Sequence, residues 1–117
     1  MGYNIGIVSF DIDVQGAELL LEEMQVSWNV GDPVEALDKI DIAGITIYDS
    51  NPSNPVGSIV YTDTLNERVA DIDVNDTTLS TGTSAIEMDF STDMSGKTFE
   101  VIFNPNSGDY LVDLVPL

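Results

Sequence analysis

Apolar residues recur at every second position in one segment after another, and that period confines most of the chain to β-strands. Val8, Phe10, Ile12 and Val14 alternate with Ser9, Asp11 and Asp13. Ile86, Met88 and Phe90 alternate with Glu87 and Asp89, and Phe99, Val101 and Phe103 with Glu100 and Ile102. Successive side chains of a strand point to opposite faces, so each run reads as a strand with one face in a core and one in water. A last run, Tyr110, Val112 and Leu114 around Asp113, is expected to form a hairpin with its predecessor across Asn104-Pro105-Asn106-Ser107-Gly108-Asp109.

Turn-forming residues punctuate the runs at Gly31-Asp32-Pro33, Ala43-Gly44, residues 49–55, Asn75-Asp76 and Ser95-Gly96. Short strands so spaced predict an all-β fold, a single antiparallel β-sandwich of Ig-like or jelly-roll-like type, in one domain over residues 1–117. Residues 16–25, GAELLLEEMQ, admit two readings. Their residue types favour a short helix; Leu19, Leu21, Met24, Val26 and Trp28 instead fit a strand with a bulge at Glu22-Glu23, the reading preferred here. Residues 34–38 and 65–70 read as short, one-turn helical connections.

Charge bounds the function. Twenty-one acidic residues face three basic ones, Lys39, Arg68 and Lys97, for a formal charge of −18. Self-repulsion of this size opposes compaction in dilute buffer, but at molar salt the screening length falls to roughly 3 Å. A salt-loaded setting is therefore implied, and 43% hydrophobic residues supply the core that a disordered acidic chain lacks. Nucleic acid and anionic membrane surfaces both require basic patches, so neither is expected as a partner. No apolar run is long enough for direct membrane insertion. Cysteine and histidine are both absent, which removes cysteine nucleophiles, Ser-His-Asp triads and Cys/His zinc sites together.

Among local motifs, Asp11-Ile-Asp13-Val-Gln15-Gly16 followed by Glu22 comes nearest to a calcium loop, in which oxygen ligands alternate and a glycine makes the turn. Asp11, Asp13, Gln15 and Glu22 are the candidate ligands, and Ca²⁺ is the one cofactor considered. Gln15 is an unusual third ligand, and the two Asp residues also continue a strand alternation whose ordinary meaning is a solvated face. Asp71-Ile-Asp73-Val-Asn75-Asp76 is a second oxygen-rich run without the glycine. Asn75-Asp76-Thr77 is a glycosylation sequon with Asn75 as acceptor. Trp28, Tyr48, Tyr61 and Tyr110 would serve either as core or as a sugar-binding face. No pair of carboxylates is singled out for glycoside hydrolysis, so no catalytic residue is expected. Met94-Ser95-Gly96-Lys97 reads as a turn between strands.

The strand order SFDIDVQGA, MQVSW, KIDIAGITIYDS, IEMDFSTDMSGKTFEVIF and DYLVDLVPL resembles the secreted β-sandwich ectodomains of archaeal and some bacterial pilin-like surface proteins. The likeness spans most of the chain and lies in the order of strands, with no signature motif. The long hydrophobic helix with which those proteins begin has no counterpart here. The acidic balance is similar to that of proteins from haloarchaea and their viruses. The resemblance implies a non-catalytic structural or assembly module of a halophilic archaeon, extracellular at the cell surface, in a pilus- or archaellum-type filament. Its partners would be other protein subunits, copies of itself included. A virion capsid or tail protein of a haloarchaeal virus is the alternative, and a calcium- or carbohydrate-binding module the second. Residues 3–8 offer a β-prone arm for pairing with a neighbour, or simply a first strand.

Overall fold

The computed structural model describes residues 2–4, 6–31, 34–50, 53–54, 58–105 and 110–114; for 2–4, 53–54 and 110–114 the backbone alone is described. It is an antiparallel β-sandwich, and no α-helix occurs among the described residues. The strands in chain order are β1 Gly2–Asn4, β2 Ile7–Val14, β3 Leu19–Leu21, β4 Met24–Asn29, β5 Leu37–Ile42, β6 Ile45–Ser50, β7 Ser53–Asn54, β8 Ile59–Asp63, β9 Glu67–Ile72, β10 Thr77–Leu79, β11 Gly82–Phe90, β12 Phe99–Phe103 and β13 Tyr110–Leu114. One sheet runs β1-β2-β11-β5-β6-β7, the other β13-β12-β4-β9-β8, and β10-β3 form a small two-stranded ladder.

Alternation builds the core. Val8 and Phe10 of β2, Ile86, Met88 and Phe90 of β11, and Leu37, Ile40 and Ile42 of β5 are buried on one sheet. Met24, Val26 and Trp28 of β4, Ala70 and Ile72 of β9, and Phe99, Val101 and Phe103 of β12 are buried on the other. All belong to a single cluster. Trp28 meets Phe90 edge to face at 5.1 Å between ring centroids, and Phe90 meets Phe99 at 5.6 Å. Such contacts add to the burial that drives folding.

Within residues 16–25 no helix forms: 16–17 bend, and the strand expected from Leu19 onward comes in two pieces, β3 and β4. The chain leaves β3 at Glu22-Glu23 and enters β4 in a different sheet, so the expected bulge is a change of sheet. Asn104 holds the break. Its Oδ1 accepts from the Glu22 and Glu23 amides at 2.9 and 3.3 Å, its Nδ2 donates to the Leu20 carbonyl at 2.9 Å, and its own amide donates to the Glu23 carbonyl at 2.8 Å. Asn104 adopts φ 51°, a left-handed conformation that asparagine tolerates better than most residues.

The short helical connections expected at 34–38 and 65–70 are not formed. Residues 34–36 are irregular before β5, and Leu65-Asn66 bend directly into β9. Cross-strand pairing of Leu37 with Phe90 and of Arg68 with Asp63 and Trp28 overrides weak local helix propensity. Ala43-Gly44 turns the β5–β6 hairpin with both φ values positive, 50° and 79°, as a two-residue type I′ turn requires. The expected hairpin of the last two strands is present as the β12–β13 pair, while its turn at 106–109 lies outside the described residues. So do 32–33 and part of the turn at 49–55. Residues 2–4 fold back onto residues 7–9 of the same chain.

Candidate functional site

Because the chain has three cations, the carboxylates each one meets are its most distinctive local chemistry. Lys97 serves a buried acid. Glu35, 3% exposed, lies 3.1 Å from Lys97 Nζ. Its Oε1 accepts from the Gly31 amide at 2.9 Å and from Trp28 Nε1 at 3.3 Å, and Lys97 Nζ also donates to the Asn29 carbonyl at 2.7 Å. Burial pushes the Glu35 carboxyl up, but the Gly31 amide, its own amide, Lys97 and Trp28 outweigh it and hold the carboxyl below its usual range. A Cβ at Gly31 would push the Glu35 carboxylate out of this position.

Lys39 stands in the open. Asp89 of β11, Lys39 of β5 and Asp49 of β6 are register partners in turn, so one lysine is flanked across the ladder by two aspartates. It also pairs with Asp41 at 3.4 Å. The register places Glu87 beside Asp41, and Asp11 and Asp13 lie farther out on β2, on the same outward face. Asp38 joins the group because β5 carries a bulge opposite Asp89 and Phe90, which turns two successive residues, Asp38 and Lys39, away from the core. Asp38, Lys39, Asp49 and Asp89 line an open cleft of about 520 Å³ with Gly6 and Ile7. Partial burial, and then Asp89 and Asp49, raise the Asp38 carboxyl above its ordinary value. Partial burial also raises Asp89, where Lys39 offsets some of the effect and Asp41 and Asp49 add to it. The cleft is thus anionic and under-neutralised, able to attract cations or a basic surface.

Arg68 serves an edge strand. Its Nε lies 3.5 Å from Asp63 of β8, and its guanidinium stacks 3.7 Å from the centre of the Tyr61 ring. The Tyr61 hydroxyl accepts from the Leu37 amide at 2.9 Å, tying β8 to the opposite sheet.

The candidate calcium ligands lie on β2, on the turn that follows it and at the break after β3. Asp11 and Asp13 are exposed on β2, paired opposite Ala85 and Thr83. Gln15 Nε2 donates to Asp13 Oδ2 at 2.7 Å, and Glu22 lies beyond β3 at the sheet break. Among the described residues no three His, Cys, Asp or Glu side chains converge as a metal-binding group. Asp71 and Asp73 are exposed at the end of β9, where Asp71 accepts from Gln25 Nε2 at 2.8 Å. Asn75 is exposed in the β9–β10 connection, its amide donating to the Ile47 carbonyl at 2.9 Å. Trp28 and Tyr48 are core residues, each 1% exposed, and burial pushes the Tyr48 phenol up to about 12. Tyr61 is half-buried, and the Tyr110 side chain lies outside the described residues. Sequence reasoning missed Glu35 as a buried acid; the scarcity of cations was the signal that could have found the partners of Lys97, Lys39 and Arg68.

No family model, curated protein or solved structure matches this chain.

Proposed function

We propose that this chain is a non-catalytic structural module that works by association with other protein subunits, displayed outside a halophilic archaeal cell in a surface or filament assembly. The observation that carries the reading is the outward face of the six-stranded sheet, where Lys39 is shared among Asp41, Asp49 and Asp89, and Glu87, Asp11 and Asp13 extend the acidic face beyond its reach. Partial burial raises the Asp38 and Asp89 carboxyls first and their acidic neighbours add to it; dense counterions screen that second contribution and also let like-charged subunits approach. Association needs surfaces, and the sandwich offers strand edges at both ends of its two large sheets. The order of strands supports surface display through its likeness to pilin-like ectodomains, and the exposed Asn75 sequon suits an exported protein.

The test is to label intact cells that encode the protein, held at their native salt, with an antibody to this chain. Labelling on the cell surface or its filaments is expected. Labelling confined to virus particles would replace the reading with a virion protein, and labelling seen only after lysis would overturn it.

A further inference from the structure

Resting on that assembly reading, we propose that the outer edge of β8 is a self-association surface at which two copies pair their β8 strands antiparallel about a two-fold axis through Tyr61. The strand's hydrogen bonding sets the geometry. The Asp73 amide donates to the Ser58 carbonyl at 2.8 Å, and the Thr64 amide to the Glu67 carbonyl at 2.8 Å, with one unbroken register between them. In an antiparallel ladder bonded residues alternate, so Ser58, Val60, Thr62 and Thr64 bond inward to β9 and its flanking residues. Ile59, Tyr61 and Asp63 then turn their backbone donors and acceptors outward, and among the described residues no strand pairs with that side.

A second β8 satisfies this row. With Tyr61 opposite Tyr61 of the second copy, Ile59 falls opposite Asp63 and Asp63 opposite Ile59, so every outward donor and acceptor of the three residues finds a partner. Val60, 61% exposed, falls opposite Thr62 on the outer face, a β-branched pair suited to a sheet.

Charge selects a second copy as the occupant. Edge strands are ordinarily blunted by lysine, proline, bulges or inward charge. β8 has no lysine or proline and no register shift, and its one acid, Asp63, is met by the chain's sole arginine. The edge strand's own acid is therefore balanced in a molecule of charge −18, while the nearest further acids, Glu67 and Asp71, stand one strand back on β9, a repulsion that salt must screen before two copies can pair. The five-residue edge at β13 differs, because Asp113 lies beside Glu100 in register and no cation stands in either strand. A ladder of five residues is small beside the roughly 1,200 Å² of a stable interface. Pairing is accordingly weak in dilute solution, strengthened by salt and by the high local concentration of an array.

Register-specific cross-linking tests this, since the chain has no cysteine. Directly opposed positions approach to about 5 Å between Cβ atoms, while diagonal positions stay about 7 Å apart, too far for a disulfide. V60C and T62C variants, each confirmed folded by a thermal melt, are oxidised in molar KCl separately and as an equal mixture. The mixture is expected to yield several-fold more cross-linked dimer than either variant alone, and wild-type sedimentation should show a dimer fraction that grows with KCl. Equal cross-linking in all three samples, or a wild type that stays monomeric at every salt and protein concentration, would overturn the pairing. A protein stabilised by salt and displayed on cells but never cross-linked would sink this inference and leave the proposed function standing. Cross-linking in register without surface labelling would do the reverse.

Discussion

Lys97 and Lys39 both meet carboxylates, with opposite outcomes. Lys97 and Glu35 form a one-to-one pair inside the protein, completed by the Gly31 amide and the Trp28 indole, and the carboxyl is held below its usual range. Lys39 is shared among Asp41, Asp49 and Asp89 on an open face, and the Asp38 and Asp89 carboxyls are raised. Solvent access explains the difference. Counterions cannot reach a buried acid, so a cation of the chain itself must neutralise it. On the open face dissolved salt can do most of that work, and a single lysine suffices for many acids.

The largest effect expected from this contrast is at the buried pair. Glu35→Ala leaves the Gly31 amide and Trp28 Nε1 without their acceptor and Lys97 without its counter-charge, and should cost about 3–5 kcal/mol in chemical denaturation. Lys97→Met leaves Glu35 buried without its cation and should cost a similar amount. Molar KCl should recover little of either loss, because screening acts weakly on buried charge. A variant restored by salt would show that the pair behaves as a surface bridge and would erase the distinction.

On the open face the sign reverses. Asp89→Asn or Asp38→Asn removes a carboxylate that is ionised against its neighbours, and each should stabilise the protein in low salt by up to about 1 kcal/mol, the screened limit for partly exposed charges. The gain should shrink in molar KCl to the part that burial alone causes, as differential scanning calorimetry would register.

The same contrast governs pH dependence. The raised Asp38 and Asp89 impose a penalty that is complete above their folded pKa values and is relieved as falling pH protonates them in the native state. The depressed Glu35 contributes stability that is complete above the ordinary glutamate pKa and is lost as pH falls through its lower folded value. Lowering the pH from neutrality in low salt should therefore first raise the melting temperature, as Asp38 and Asp89 take up protons above the ordinary aspartate range, and then lower it below the ordinary glutamate range, as the Glu35 contribution is lost. Combining Asp38→Asn with Asp89→Asn should flatten the rise and leave the fall. The smallest effect is expected for Lys39→Met, a slight loss of melting temperature in low salt that KCl abolishes.

How much of this was legible in the sequence depended on how local each cause was. Alternation identified β2, β11 and β12 because burial of Val8 and Phe10, of Ile86, Met88 and Phe90, and of Phe99, Val101 and Phe103 is written in their own spacing. The helical expectation at 65–70 failed because strand pairing of Arg68 with Asp63 and Trp28 is set by residues elsewhere in the chain. The break at Glu22-Glu23 was visible as an irregularity, but its cause is Asn104, about eighty positions away and without any mark in the sequence. Glu35 was hidden among twenty-one acids for the same reason, since Lys97 reaches it from a distant turn.

The measurement that tests the account most directly is the melting temperature of the unmodified chain at neutral pH in about 0.1 M and about 3 M KCl. Chloride keeps the comparison electrostatic, because sulfate would strengthen apolar burial in any protein. Relief of the charge of −18 should add a few kcal/mol, on the order of 10 °C. A melting temperature unchanged or lowered by the salt would contradict the claim that the acidic face is built for a screened environment.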